Sequence, residues 1–375
     1  RIAFVSSTDE GSELYMYWIN TGQIAKLSQL DKSPGNLTWS PDGKHLAFTM
    51  FIAEEAPVIA KMPKKPEGAK WAEPARITDR LKHEADGSGY MKPGFAHIFI
   101  IPAEGGTPRQ ITTGNYDHGS NLSFSPYGKD IYFSSNRFED WEYRFRNSEV
   151  YKVNVDTKQI SALTTQDGPD YAPKVSPDGK TIAFLGYLDK VQDYQNTVLH
   201  LIDSDGSNRR IISSSLDESI SDITWDTSGK GLYFMYDIKG NTKIGYITTS
   251  GTITKLTDNV GGTTIGRPYT SGSYSVSQNG TLAYTQTRPE YPAELAIIQN
   301  KKKPKLITSL NEDVLALSEL GKVEELWYKS SFDGRDIQGW IVKPPFYDAT
   351  KKYPLLVENH GGPILNYGDR FTAEI

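Results

Sequence analysis

The chain has 375 residues, a formal net charge of −5 and no cysteine, which excludes disulfides, thiolate metal ligands and a cysteine nucleophile together. There is no basic stripe of the kind nucleic acid requires, and no run of about 18 apolar residues to span a membrane. The 22 Tyr, 14 Phe and 7 Trp set against 33 Gly and 21 Pro are the balance of an all-β chain of many short strands and tight turns.

Residues 1 to 27 read as a repeat lacking its first strand. Arg1-Ile2-Ala3-Phe4 is the middle of a hairpin whose turn would lie upstream, and Glu13 to Tyr17 and Ala25-Lys26-Leu27 take the later positions. The second repeat carries Ser40-Pro41-Asp42-Gly43-Lys44 before the apolar strand His45 to Phe48, and it closes on Gln110-Ile111-Thr112. The third has Phe124-Ser125-Pro126-Tyr127-Gly128-Lys129 before Ile131-Tyr132-Phe133; the fourth has Val175-Ser176-Pro177-Asp178-Gly179-Lys180 before Ile182-Ala183-Phe184. Two worn copies follow: Trp225-Asp226-Thr227-Ser228-Gly229-Lys230 before Leu232-Tyr233-Phe234, and Val276-Ser277-Gln278-Asn279-Gly280 before Leu282-Ala283-Tyr284. From Gly128 the intervals are 51, 50 and 51 residues.

Each signature is a turn with a mechanism. Pro presets φ at the first central position, Asp or Asn bonds its own backbone, and Gly takes a positive φ. A second strand, a polar Gly turn and a Leu-Thr or Ile-Thr ending follow, as in Glu149 to Val153 with Ala162-Leu163-Thr164. Four strands recur per repeat. One such sheet cannot cover both apolar faces, so a row of them stacks around an axis as a β-propeller of four-stranded blades. Six repeats are visible.

Two excursions interrupt the rhythm. Gly43 to Gly128 is 85 residues, and the excess lies at about 51–94, between Met50 and Gly94. Its Pro57, Pro63, Pro66 and Pro74, with Lys61, Lys64, Lys65 and Lys70, exclude regular structure throughout; it is either a functional loop or a solvated one. The second runs from Asn136 to Arg146 and alternates charges with large aromatics. Its carboxylates could take a substrate ammonium and its guanidinium groups a carboxylate. Alternatively, these charges pair with one another. Asp203 to Asn208 is an ordinary Asp-Gly turn, and the six histidines, lacking HExxH spacing, imply no metal and no cofactor.

The repeat stops after Leu306-Ile307-Thr308. Residues 309–325 read as a connection, and 326–375 follow another grammar. Strands Glu325 to Ser331 and Asp336 to Lys343 flank the turn at Phe332-Asp333-Gly334-Arg335. An apolar strand, Leu355-Leu356-Val357, then runs into Asn359-His360-Gly361-Gly362-Pro363. A strand ending in a glycine-rich loop is how an α/β sheet presents bare backbone N–H groups at its carboxyl edge.

Together, the blade repeats (residues 1–308) and the segment from Ser331 through Gly339-Trp340 and Tyr353-Pro354 to His360-Gly361-Gly362-Pro363 resemble the prolyl oligopeptidase family of serine peptidases, in its acylaminoacyl peptidase and dipeptidyl aminopeptidase branch. Asp86 to Tyr90 and Gly105 to Gln110 add to the likeness. The resemblance implies a propeller, usually seven-bladed, capping an α/β-hydrolase domain that cleaves short peptides by acyl-enzyme chemistry. It implies that 326–375 are that domain's first strands, with His360, Gly361 and Gly362 as the oxyanion loop and Gly362 its backbone donor. It also implies acidic residues that anchor a peptide end, for which Glu139, Asp140 and Glu142 are the local candidates, with Arg144 beside them. The family's nucleophile sits in a Gly-x-Ser-x-Gly elbow, and no Gly-x-Ser triplet occurs here. Serine, aspartate and histidine of a triad are therefore expected beyond Ile375. The implied partners are a short peptide and the rest of the hydrolase domain, with oligomers open. The resemblance leans towards a bacterial periplasmic or secreted protein, with the cytoplasm as the alternative. A rival reading is a non-catalytic propeller acting as a protein-binding scaffold.

Overall fold

The computed structural model describes residues 1–375 except 10, 56–59, 61–62, 73–74, 76, 265, 300–301, 363 and 374–375. Its recurrent feature is the turn just named. Ser40 Oγ donates to Asp42 Oδ1 at 2.6 Å, the same carboxylate oxygen accepts from Lys44 N–H at 3.0 Å, and Ser40 Oγ accepts from His45 N–H at 2.9 Å. Ser176 and Asp178 repeat the first bond at 2.6 Å, and Ser277 repeats it with Asn279 at 2.6 Å. The side chains thus take over hydrogen bonds that a tight turn denies its backbone.

The strands form two compact units: residues 1–175, 179–188 and 203–207, and residues 176–178, 189–202 and 208–375. In the first, β1 (Ile2–Thr8), β2 (Gly11–Trp18) and β3 (Gln23–Lys26) make an antiparallel three-stranded sheet. The next sheet is β4 (Pro34–Trp39) and β5 (His45–Ala53) followed, after the short hairpin β6 (Glu84–Ala85) and β7 (Gly89–Tyr90), by β8 (Gly94–Pro102) and β9 (Arg109–Gln110). Then come β10 (Ser123–Phe124), β11 (Asp130–Ser135), β12 (Glu149–Asn154) and β13 (Ile160–Ala162), and the hairpin of β14 (Asp170–Val175) with β15 (Thr181–Gly186).

The boundary falls inside the fourth repeat. In the second unit, except for Asp203, lie the paired strands β16 (Val198–Asp203) and β17 (Arg210–Ile211), then β18 (Ile220–Trp225), β19 (Gly231–Ile238), β20 (Asn241–Thr248) and β21 (Ile253–Val260). The sixth repeat is β22 (Tyr274–Val276), β23 (Leu282–Arg288), β24 (Tyr291–Ile298) and β25 (Lys305–Leu306). It joins the fifth through one bridge, Val260 to Gln286. A single helical turn, α1 (Glu312–Leu315), precedes a separate hairpin of β26 (Lys322–Lys329) and β27 (Asp336–Lys343). The fold is all-β, in blades of the propeller type.

Cores lie between neighbouring sheets rather than within one. Leu14 and Met16 of the first sheet pack with Leu46, Phe48, Phe99 and Ile101 of the second. The other face of the second supplies Ala47, Ile98 and Ile100 to Ile131, Phe133 and Val153 of the third. Period-2 alternation thus feeds two interfaces from each strand. Phe48, Phe133, Phe184 and Phe234, which hold the same place in successive repeats, are all fully buried.

The turns also touch along the row. A Cβ on Gly179 would lie 3.3 Å from Cγ and Cδ of Pro126 in the preceding turn, and equivalents at Gly128 and Gly229 would lie 3.8 and 3.6 Å from Pro41 and Pro177. Gly179 has φ +73°, so both conformation and space favour glycine. Gly179→Val is expected to cost about 2 kcal/mol, from the left-handed backbone and the lost fit. The denaturant midpoint, read against Gly22→Val with an equally positive φ and no neighbour within 4 Å, separates the two terms.

The Leu-Thr ending has a structural role that its regularity does not reveal. Thr112, Thr164, Ser213 and Thr308 accept through their hydroxyls from the N–H of Ile98, Val150, Leu199 and Leu295 at 2.8–2.9 Å, and Ser28 does the same for Leu14 at 3.0 Å. Where the preceding residue is glutamate, the hydroxyl also donates to it: Ser28 to Glu13 at 2.7 Å, Thr308 to Glu294 at 2.5 Å, and Thr164 to Glu149. Three buried carboxylates each gain a hydroxyl donor in this way.

Two expectations need correction. Leu355-Leu356-Val357 is not a strand; the three are 80, 94 and 74% exposed, because no neighbouring strand supplies hydrogen-bond partners and apolar character alone cannot hold an extended segment. The hairpin after the repeats begins at Lys322 rather than Glu325, and it shortens the connection expected at 309–325. In the first excursion, Pro57, Lys61 and Pro74 lie outside the described residues; 63–72 contain no strand or helix.

Candidate functional site

The excursion after β11 is stapled from within. Asn136 Nδ2 donates to Arg144 O at 2.7 Å and Trp141 O at 3.3 Å, and Tyr143 N–H donates to Asp140 O at 2.9 Å. These bonds fold the segment back and bring charges four residues apart together. Arg144 Nε meets Asp140 Oδ2 at 3.0 Å, and its Nη1 lies 3.5 Å from Asp167 Oδ1.

Glu142 is drawn elsewhere. Arg80, from the first excursion, reaches Glu54 at 3.0 Å and Glu142 at 3.9 Å, and stacks over Phe95 and Trp141 at 4.8 and 5.5 Å. The two excursions of this unit therefore meet through one guanidinium. Of the four candidate substrate contacts, Asp140 and Arg144 neutralise each other and Glu142 is held by Arg80. Glu139 is exposed and has no ion-pair partner among the described residues.

Beneath this loop lies a cluster that the sequence did not point to. His118 is fully buried and His97 nearly so, their ring centroids 5.1 Å apart. The His118 N–H donates to Ala96 O at 2.8 Å, and Asp117 Oδ1 accepts from Ala96 N–H at 2.7 Å, so residues 117–118 are laced to the start of β8. Arg137 donates through Nη1 to His118 Nε2 and stacks over Tyr116 and Tyr151 at 4.8 and 5.8 Å. Burial above all, then the charge of Arg137, pulls the His118 pKa down to about 3, so the imidazole is a neutral acceptor. Nothing in the local sequence around His97, His118 or Arg137 signals that they meet.

The second unit holds the glycine-rich loop. His360 Nδ1 donates to Gly361 O at 3.1 Å, and its ring lies 5.1 Å from that of Tyr367. Tyr367 donates to Glu358 Oε1 at 2.8 Å, which Arg267 approaches at 3.6 Å. Gly362 has φ +130°, and a Cβ there would stand 2.8 Å from Leu365. Pro363 lies outside the described residues. Residues 358–362 are exposed.

What fixes this stretch is Arg370. Buried to 5% exposure, it donates to Val260 O at 3.1 Å, Ser271 O at 3.3 Å, Gly240 O at 3.4 Å and Thr242 Oγ1 at 3.1 Å. Burial lowers its pKa to about 10, so it stays cationic at neutral pH. Arg370→Met is expected to weaken attachment of residues 366–372 by about 2 kcal/mol, leaving carbonyls without a donor. Hydrogen exchange at Gly368 and Arg370 should then accelerate roughly 30-fold.

Both units thus hold antiparallel sheets of the blade type, and in the second unit these are followed by a segment carrying a histidine–glycine–glycine loop. Residues 67–189 match the family model described as the dipeptidyl peptidase IV N-terminal region. The peptidase YuxL of Bacillus subtilis is 25% identical over the whole chain, which covers 57% of that relative. Dipeptidyl-peptidase 5 of Porphyromonas gingivalis is 27% identical over 65% of the chain and 35% of its own length. Among solved structures, an acylaminoacyl peptidase bound to Z-Gly-Gly-Phe-chloromethyl ketone superposes with a TM-score of 0.74 at 15% identity, covering 99% of this chain and 52% of that one. The Pyrococcus horikoshii acylaminoacyl peptidase gives 0.73 at 16%, with the same coverage. The chain thus spans just over half the length of these proteins or less. Residues 67–189 are thus similar to the dipeptidyl peptidase IV N-terminal region, and the chain as a whole is similar to part of these peptidases.

Proposed function

We propose that residues 1–308 are the substrate-gating propeller, and 326–375 the first strands of the α/β-hydrolase domain, of a serine exopeptidase or oligopeptidase acting on short peptides. The observation that carries this reading is the extent of the similarity to a peptidase. It does not stop at the last blade but runs through the hairpin and the His360-Gly361-Gly362 loop. In this reading the Gly362 N–H, in a backbone conformation only glycine adopts readily, stabilises the oxyanion of an acyl-transfer intermediate. Glu139, exposed and without an ion-pair partner among the described residues, is the excursion's carboxylate free to meet a peptide ammonium.

No Gly-x-Ser triplet lies within residues 1–375, so the chain by itself is expected to leave aminoacyl and dipeptidyl nitroanilides unhydrolysed. Hydrolysis by these residues alone, abolished by a serine-directed phosphonate, would overturn that assignment. Reading the coding sequence past codon 375 tests the parent activity: a Gly-x-Ser-x-Gly elbow is expected within roughly 100 codons. Its absence would return the propeller to a binding role.

A further inference from the structure

Arg137, in the first unit, is a cation without a carboxylate partner among the described residues. It is partly buried, yet no carboxylate oxygen approaches it within 4.0 Å among the described residues. Its nearest partners are a neutral imidazole and two tyrosine rings. The neighbouring acids are engaged elsewhere: Asp117 with the Ala96 N–H, and Glu149 with Thr164. A guanidinium carries five donors in a fixed fork, and withdrawing it from water without a counter-charge is costly. The Nη1 bond to His118 and the aromatic stacking hold the fork in one plane and orientation, which lowers the entropy lost when an anion docks.

The contrast with Arg144 is informative. That residue, seven positions on in the same excursion, already has Asp140 and Asp167 as counter-ions, so its charge is not available to a ligand. We propose that Arg137 is the anchor of a carboxylate-binding site in the first unit, which takes a peptide through either its terminal or a side-chain carboxylate. Tyr116 and Tyr151 form aromatic walls on the cation, and His118 positions it without competing for charge. The inference does not depend on peptidase activity, since it concerns binding by the described residues alone.

Calorimetric titration of the chain at low ionic strength tests it. N-acetyl-glycylglycine is expected to bind, and its C-terminal amide to bind at least about tenfold more weakly, the loss of a charge-assisted pair. N-acetyl-aspartyl-glycinamide then distinguishes a side-chain carboxylate from a terminal one: the tighter of the two acids names the source. Arg137→Met should weaken the preferred acid about tenfold or more, whereas Arg144→Met should leave it within about twofold. Should Arg137→Met not fold, Arg137→Lys serves, keeping the charge but not the fork, with a several-fold loss for the acid and none for the amide. Equal affinity for acid and amide, or an Arg144 variant weakened as much as the Arg137 variant, would overturn the proposal.

Discussion

Lowering the pH from 6.5 towards 5 is expected to destabilise the first unit by up to about 1.4 kcal/mol per pH unit through His118 alone. The sign follows from proton counts. In the folded chain the His118 pKa is pulled down to about 3, by burial first and then by Arg137 and His97, whereas the unfolded histidine titrates near the ordinary value of about 6.5. Between those values the unfolded state binds one more proton than the folded state. Stability is therefore fully present above 6.5 and is lost as the pH falls through the window down to about 3. His97 shifts in the same direction, for the same leading reason, and adds to the slope. The upper part of the window is the informative part, because most carboxylates remain ionised there. Denaturant midpoints of wild type and His118→Gln between pH 5 and 7 check this. The variant should lose absolute stability and also flatten the slope, and parallel slopes would sink the explanation.

The second large effect concerns the repeat itself. Phe48→Ala should cost about 3–5 kcal/mol, the range for removing a large aromatic side chain from a packed interior. Phe48 is fully buried, stacks on Phe99 at a centroid distance of 5.7 Å, and sits in the interface between the first two sheets. Phe332→Ala, on a side chain 96% exposed, should change stability by no more than about 0.5 kcal/mol. A denaturant midpoint that shifts for Phe48 with an unchanged m-value reports lost packing rather than a changed denatured state. Comparable costs at both sites would mean that burial between sheets does not determine stability here.

Much of the architecture was legible because it depends on residues adjacent in the chain. Ser40-Pro41-Asp42-Gly43 closes a turn through bonds spanning five residues, and the apolar residues that follow alternate over a single strand. The period near fifty could therefore be read directly, and so could the blades. Where apolar character had no partner to pair with, as at Leu355 to Val357, the same reasoning overreached, since a strand is completed only by its neighbour.

The candidate sites were less legible. The excursion at 136–146 showed its composition, but not that Asp140 and Arg144 would cancel or that Glu142 would turn to Arg80. The His97, His118 and Arg137 cluster gave no local signal, and neither did Arg370, whose four acceptors lie between Gly240 and Ser271.

By itself, the sequence determined the all-β class, the repeated turns and the length of each repeat, because backbone conformation and short-range hydrogen bonds set these within a few residues. Only the tertiary structure decided which charges are neutralised, which histidines lose water and that Arg137 has no carboxylate within ion-pair reach among the described residues. Desolvation and ion pairing depend on groups brought together from distant parts of the chain, and spacing along it does not encode those distances.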